Sequence, residues 1–149
     1  MYNLFDSKNA TEILNRIEKL KPDTQRKWGK MDVAQMMAHC AVGLKNATSD
    51  VKVPRAFMGV LLGGMIKPIL TNEKPYKKNI PTDKSFLVTD ARNFEKEKAN
   101  LVTLIKSFQQ GGATALTKHP HPFFGKLSDQ EWSGAMHKHL DHHLQQFGV

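Results

Sequence analysis

The sequence predicts an all-α protein in which one domain, residues 1–149, forms a four-helix bundle. Four long stretches repeat apolar residues at helical spacing, and three of them begin with a capping signal. Strand signals are weak, with residues 85–88 as the one short candidate. The connection between the second and third long helices is long enough to cross the whole bundle. We therefore expect these two helices to run parallel, with a crossover between them.

The first two long helices are predicted over residues 9–20 and 32–47. Pro22 follows the first of them and stops it, because proline disfavours helical backbone at the residue before it. The second has no charged residue between its cap and Leu44, so we expect it to be buried on most sides. Each begins with a predicted capping box: Asn9 with Glu12, and Asp32 with Gln35.

The long connection, residues 48–89, contains a predicted short helix near residues 55–66. Its most apolar part, residues 57–66, is too short to cross a bilayer, which needs about 20 residues. We expect a buried or capping helix here, with a lip around a pocket as the alternative. No membrane partner is expected.

The other two long helices are predicted over residues 90–110 and 128–147. The Gly111–Gly112 pair predicts a left-handed end for the earlier one. Ser128 and Glu131 form a capping box at the start of the last helix.

A proline-containing loop, residues 119–125, leads directly into the last helix. We expect it to cover one end of the bundle, with Phe123 or Phe124 packed inward. Its histidines, His119 and His121, are equally compatible with simple exposure and with a place at a pocket.

The formal net charge of +8 raises the question of an anionic partner. The lysines are scattered, and no zinc-finger or RNA-binding signature is present. We therefore interpret the charge as solvated surface and expect no nucleic-acid partner, while an anionic small substrate stays open. The single cysteine, Cys40, excludes an internal disulfide, which fits a reducing compartment, and we expect a cytoplasmic protein.

Four of the seven histidines lie within residues 137–143. His139 and His143 are four residues apart, so they stand on one face of a helix, at the spacing by which two imidazoles reach one metal ion. His142 lies at the edge of this face and could contact the ligands. His137 falls on the opposite side and is assigned to solvent.

His39, in the middle of the most apolar helix, is the natural third ligand, because a catalytic zinc site usually has three protein ligands and an open position. Gln35 and Asn46 lie on its face and could orient it, and Gly43 leaves space beside the ring. Cys40 lies about 100° around the helix and is interpreted as a core residue. Two alternatives stay open: His39 is a hydrogen-bonded core residue, or the histidine pair is a surface cluster that binds metal adventitiously.

Three segments carry a resemblance to a known superfamily: residues 28–40 (WGKMDVAQMMAHC), residues 121–132 and residues 139–143 (HLDHH). They resemble the DinB/YfiT-like superfamily of metal-binding four-helix bundles, in a branch known mainly as a domain of unknown function. The resemblance covers most of the chain and is weakest over the central connection. It implies an up-down-down-up bundle, in agreement with the predicted crossover.

The resemblance also implies one divalent ion, held by one histidine of the second helix and a pair on the last helix. In this sequence these are His39, His139 and His143, and zinc or nickel is the expected metal. Several members of the superfamily use a low-molecular-weight thiol as co-substrate in transferase or isomerase reactions.

Two classes of function follow. The first is a metal-dependent enzyme, a thiol transferase or, less favoured, a hydrolase. The second is a non-enzymatic metal- or small-ligand-binding bundle, which could be a homodimer. Candidate residues for contacts with the ligands or the substrate are Gln35, Asn46, His121 and His142.

Overall fold

The architecture of the computed structural model is helical throughout the described residues. These are residues 2–50, 52–55, 57–80 and 86–149. Within them the β pairing is limited to one isolated bridge between His121 and Gly125. The all-α class is therefore confirmed for this part of the chain. The strand candidate at residues 85–88 begins outside the described residues, and its other three residues form no strand.

Five α-helices follow one another along the described chain. They are α1 Ser7–Glu18, α2 Val33–Thr48, α3 Phe57–Thr71, α4 Phe94–Gly111 and α5 Asp129–Gln146, and a short 3-10 helix, Gly112–Ala115, directly follows α4. The four predicted long helices correspond to α1, α2, α4 and α5. The predicted short helix corresponds to α3, which is longer than expected because it continues through Pro68. No helix in the described part of the chain combines the length and the apolar character that crossing a membrane requires.

Side-chain caps begin the two helices that carry most of the histidines. The Asp32 carboxylate accepts from the Gln35 N–H at 2.8 Å, and the Gln35 side chain accepts in return from the Asp32 N–H. Ser128 and Glu131 form the same reciprocal pair at the start of α5. Both predicted boxes are therefore confirmed, and both acidic side chains are engaged at helix ends.

The predicted cap of α1 at Asn9 is wrong. Asp6 is the N-cap, and its carboxylate accepts from the Asn9 N–H at 3.0 Å. The Asn9 side chain donates instead to the carbonyl of Asn3. An aspartate at this end is favoured because its charge complements the positive end of the helix dipole.

The core lies between α1, α2, α4 and α5. Helix α2 packs against α4 and α5, α1 packs against the same two helices, and α3 contacts α5. As predicted, α2 is enclosed on most sides, with eleven of its 16 residues buried. The bulkiest fully buried side chains are Leu4, Ile13, Ile17, Met36, Met37, Leu44, Leu101, Ile105, Phe108, Leu140 and Leu144.

Hydrogen bonds join α2 to the segments that flank α4 at both ends. Gln35, in the first turn of α2, donates to the carbonyl of Asp90, shortly before α4 begins. At the other end, the carbonyl of Ala47 accepts from the N–H of Thr117, just after the 3-10 helix.

Helix α3 covers the loop before α5 with one face. A Cβ atom at Gly59 would lie 2.6 Å from the backbone of Phe123, and one at Gly63 would overlap the Phe123 carbonyl oxygen. Only glycine allows this close approach. The opposite face of α3 is exposed, so the expectation of a buried helix holds for one side only. In the same loop Phe124 packs against the core, which confirms the predicted inward phenylalanine.

Candidate metal centre

His39 is held inside the bundle by the central turns of α2. Its side chain is 4% exposed, and its Nδ1 lies 2.8 Å from the carbonyl oxygen of Phe86. A carbonyl can only accept, so Nδ1 carries the proton and donates. The Nε2 lone pair is therefore free for a second partner.

The other two histidines come from consecutive turns of α5. His143 is buried, and His139 is partly exposed. Gly43 of α2 makes room for this pair, because a Cβ atom there would lie 3.2 Å from Nδ1 of His139. We expected Gly43 to leave space beside the ring of His39. The structure shows that this space lies beside His139 instead.

The three imidazoles converge on one point between α2 and α5. Nε2 of His39 lies 2.9 Å from Nε2 of His139. One nitrogen from each of His39, His139 and His143 lies within 4.8 Å of the other two. The ring centroids of each pair are 4.8 Å apart, so the rings form an even triangle. Such a cluster could hold a metal ion.

Protein groups outside the triangle fix the orientation of two of its rings. Nδ1 of His143 donates to the side-chain oxygen of Gln146 at 2.8 Å, and the Gln146 amide nitrogen donates to the carbonyl of Trp28 at 2.7 Å. The Phe86 carbonyl does the same for His39. Metal-binding histidines typically have such an acceptor on the nitrogen that does not face the ion.

The environment keeps these imidazoles neutral at physiological pH. Burial lowers the pKa of His143 to about 3, and the charge of His39 acts in the same direction. Burial followed by the neighbouring imidazoles holds the pKa of His139 well below its ordinary value. Burial also lowers the pKa of His39, against the opposing hydrogen bond to Phe86. Neutral imidazole is the form that binds metal.

The two residues expected to orient His39 do not do so. The Gln35 side chain is used by the α2 cap and by the carbonyl of Asp90. Asn46 is half-buried, and among the described residues it makes no hydrogen bond to His39. The orienting group is the Phe86 carbonyl, 47 residues away in the chain.

His121 lies close to the triangle and packs against Phe124 and Trp132. Its Nδ1 accepts from the backbone N–H groups of Phe123 and Phe124, which fixes the proton on Nε2. Burial lowers the pKa of His121 to about 4.

His142 packs edge-on against His143. Its ring centroid lies 5.2 Å from that of His143, and it also contacts the rings of Trp28 and Tyr76. The structure thus brings His121 and His142 near the triangle, without a hydrogen bond to it among the described residues. His119 lies apart, and its Nε2 contacts the carbonyl of Asp50.

The assignment of His137 to solvent is wrong. Its side chain is 4% exposed and stacks on Tyr2 at 4.8 Å, and within the described chain neither ring nitrogen has a partner. Lys138, on the same side, is also buried and donates to the carbonyls of Ile69 and Asn72. The N-terminal segment and the end of α3 cover this side of α5, which the periodicity of one helix cannot reveal.

Cys40 takes no part in the triangle. Its sulfur is buried in the core and lies 3.8 Å from the sulfur of Met36. Burial raises the pKa of this thiol, so it stays protonated at neutral pH. The interpretation of Cys40 as a core residue is confirmed.

Three partners of the triangle were missed as such by sequence reasoning. Gln146 stands three residues after His143, on the ligand face, and this spacing was the available signal. The carbonyls of Phe86 and Trp28 gave no signal, because backbone acceptors contributed by distant segments leave no mark on side-chain patterns.

Comparison with known proteins places almost the whole chain in a family context. A family profile described as "Protein of unknown function (DUF1569)" matches residues 4–148. Neither the comparison with curated proteins nor that with solved structures found a match.

Proposed function

We propose that this chain, which belongs to the DUF1569 family, is a metal-binding protein that holds one divalent ion with His39, His139 and His143. The observation that supports this most strongly is the convergence of three imidazole nitrogens within 4.8 Å of one another. Three histidines with an open fourth position are a donor set of catalytic zinc sites. Zinc or nickel is the expected ion, since both accept imidazole ligands readily.

The residues present fit such an ion in two respects. In two of the three rings Nδ1 donates to a carbonyl or amide oxygen. The Nε2 lone pairs of His39 and His143 are therefore available to bind an ion. Nitrogens around a tetrahedral zinc lie about 3.3 Å apart, because each bond is about 2.0 Å long. The observed separation of 2.9 Å between His39 and His139 is close to this spacing.

We place the site in an up-down-down-up bundle of α1, α2, α4 and α5, as in the DinB/YfiT-like superfamily. The bonds that tie Gln35 to Asp90 and Ala47 to Thr117 support α2 and α4 running in the same direction.

Ion pairs support the direction of the other two helices. Arg16, in the last turn of α1, pairs with Asp141 toward the end of α5. Lys98, near the start of α4, pairs with Glu18, the last residue of α1. These contacts support α1 and α5 running in one direction and α4 in the opposite one.

Within this proposal we favour a metal-dependent transferase with a low-molecular-weight thiol as co-substrate. A divalent ion with an open position lowers the pKa of a bound thiol and so supplies a nucleophile at neutral pH. Asp32 and Glu131 cap helices, and no carboxylate of the described residues bonds to the three histidines, which makes a hydrolase with a general base less favoured.

Elemental analysis of the natively purified protein tests the metal site. We expect about one zinc or nickel ion per chain, and loss of most of it in His139→Ala and in His143→Ala. His137→Ala, on the same helix, is the matched control and should keep its metal. Equal metal content in all four proteins would contradict the proposal.

The thiol part is tested with protein loaded with cobalt(II). Titration with 2-mercaptoethanol should produce a thiolate-to-cobalt absorption band and raise the melting temperature. The hydroxyl analogue ethylene glycol is the control and should do neither. A cobalt spectrum that does not respond to the thiol would favour a non-enzymatic metal-binding bundle instead.

A further inference from the structure

Helix α3 presents a row of large apolar side chains to solvent. Phe57 is 75% exposed, Leu61 is 61% exposed and Met65 is 78% exposed. We call the row and its neighbours the α3 ridge. Its six members are Phe57, Val60, Leu61, Leu62, Met65 and Ile69.

The ridge follows from how α3 is attached. Phe57, Leu61 and Met65 are four residues apart, so they line up along one face, and the ridge from Phe57 to Ile69 is about 18 Å long. The opposite face carries Gly59 and Gly63, which lie against the backbone of Phe123. The packed side is thus fixed by close backbone contact, and the ridge necessarily points outward.

An apolar surface of this kind needs an explanation. Apolar patches larger than a few hundred Å² are uncommon on soluble monomers and mark contacts with proteins or membranes. Elsewhere in the described chain the large exposed hydrophobic residues are Tyr2, Ile80 and Leu87, which lie outside α3. The concentration of six on one helix therefore indicates a docking surface.

Basic residues flank the α3 ridge at both ends. The described residues 52–80 contain one acidic side chain, Glu73, after the helix. Within α3 itself the one charged residue is Lys67, which pairs with Glu131 at 2.8 Å. The exposed basic residues that flank the helix are Lys52 and Arg55 before it and Lys74, Lys77 and Lys78 after it.

These charges distinguish between the candidate partners. A second copy of the chain would bring basic flanks against basic flanks, whether the two α3 helices met parallel or antiparallel. The net charge of +8 adds to this repulsion. A surface that is apolar inside and anionic outside complements both the ridge and its flanks.

We propose that the α3 ridge docks on the surface of an anionic lipid bilayer. Helix α3 lies in the plane of the headgroups, with Phe57, Leu61 and Met65 among the acyl chains and with Lys52, Lys74 and Lys77 on anionic headgroups. A helix that lies on a bilayer does not need the length of one that crosses it. This proposal departs from the expectation of no membrane partner, which rested on that length.

Co-sedimentation with vesicles tests the proposal. The wild-type protein should bind vesicles of phosphatidylcholine mixed with phosphatidylglycerol, and high salt should weaken this binding. Leu61→Ser/Met65→Ser should reduce binding about tenfold or more, since both apolar side chains leave the bilayer. Ile80→Ser/Leu87→Ser is the matched control, because it removes two exposed apolar side chains outside α3, and it should bind like the wild type.

Charge is varied in the same assay. Lys52→Gln/Lys74→Gln/Lys77→Gln should weaken binding about tenfold or more. The matched triple Lys30→Gln/Lys96→Gln/Lys106→Gln removes the same charge elsewhere and should have a much smaller effect. Equal loss in the two triples would show unspecific attraction and overturn the assignment to α3.

A gain of signal avoids reliance on loss of binding. Phe57→Trp should show a blue-shifted indole emission on anionic vesicles and quenching by brominated lipid, whereas Leu87→Trp should show neither. No spectral response of Phe57→Trp to vesicles would overturn the proposal. So would sedimentation velocity showing a wild-type dimer that Leu61→Ser/Met65→Ser abolishes, because the ridge would then join two copies.

Discussion

Helices α2 and α3 are both strongly apolar, yet α2 is enclosed by its neighbours and α3 has one face exposed to solvent. Eleven of the 16 residues of α2 are buried, and α4 and α5 cover it. Helix α3 contacts the loop before α5 and α5 itself, and keeps six large apolar side chains exposed. Apolar composition thus predicts that a helix needs a cover, but the neighbours in the fold decide whether the same chain supplies it.

The enclosure of α2 also explains its chemistry. A buried imidazole is more stable when both of its nitrogens have partners, since an unpaired buried polar group is costly. His39 has the Phe86 carbonyl on one nitrogen and the two histidines of α5 at the other. On α3, by contrast, the six large exposed side chains are all apolar.

The largest expected difference between the two helices is in truncation. Leu44→Ala in α2 should lower the free energy of unfolding by about 2–5 kcal/mol, because Leu44 is 1% exposed and leaves a cavity. Leu61→Ala in α3 should change it by no more than about 0.5 kcal/mol. Urea denaturation of both variants measures this, and a similar loss in the two would show that α3 is covered in solution.

A bound metal ion should stabilise the folded protein through the site between α2 and α5. An ion that binds only the folded chain adds about 2.7 kcal/mol at a hundredfold excess over its dissociation constant. We expect a chelator to lower the melting temperature at pH 7.5, and we expect this effect to disappear only as the pH falls toward 3, where His143 in the folded protein takes up a proton. An unchanged melting temperature at pH 7.5 would show that bound metal does not stabilise the folded protein.

Acid should destabilise the metal-free protein through the same residues. The pKa of His143 is lowered to about 3 in the folded protein, against about 6.5 when unfolded. The unfolded chain therefore takes up the proton first, so this stabilisation is complete above about pH 6.5 and is lost as the pH falls toward 3. The slope should be up to about 1.4 kcal/mol per pH unit for each such histidine, and smaller in His143→Gln. Equal slopes in both proteins, measured by urea denaturation between pH 4 and 7, would count against a neutral buried His143.

Two glycine substitutions should give the smallest effects, and the expected outcome differs between α2 and α3. Gly64→Ala, on the open side of α3, meets no atom within 4 Å and should raise stability by about 0.5–1 kcal/mol. Gly43→Ala places a methyl group 3.2 Å from His139 and should weaken metal binding instead. Thermal denaturation and zinc titration of the two variants check this, and unaltered zinc affinity in Gly43→Ala would show that the ring has room to shift.

Local patterns predicted much of this molecule. The capping boxes at Asp32 and Ser128 are confirmed, because a cap depends on residues three positions apart. The pairing of His139 with His143 on one face rests on helical spacing in the same way. The third histidine required that the two helices meet, which helical spacing alone does not fix.

Two of the failures are non-local. His137 was assigned to solvent because a single helix does not reveal that Tyr2 covers its far side. The Phe86 carbonyl was missed for the same reason, because it comes from a distant segment of the chain. The cap of α1 is a local failure: Asn9 was chosen, although Asp6, three residues earlier, accepts its N–H. The exposure of the α3 ridge depended on packing partners that the sequence did not name.

The zinc stoichiometry of His39→Ala tests the central claim most directly, because His39 is the ligand that α2 contributes to the proposed site. Isothermal titration with zinc should show about one tight site in the wild type and in the control His119→Ala. In His39→Ala the site should be lost or weakened by about a hundredfold or more, a larger effect than the loss of an outer partner. Retention of one tight site in His39→Ala would assign the ion to α5 alone and contradict the three-histidine centre.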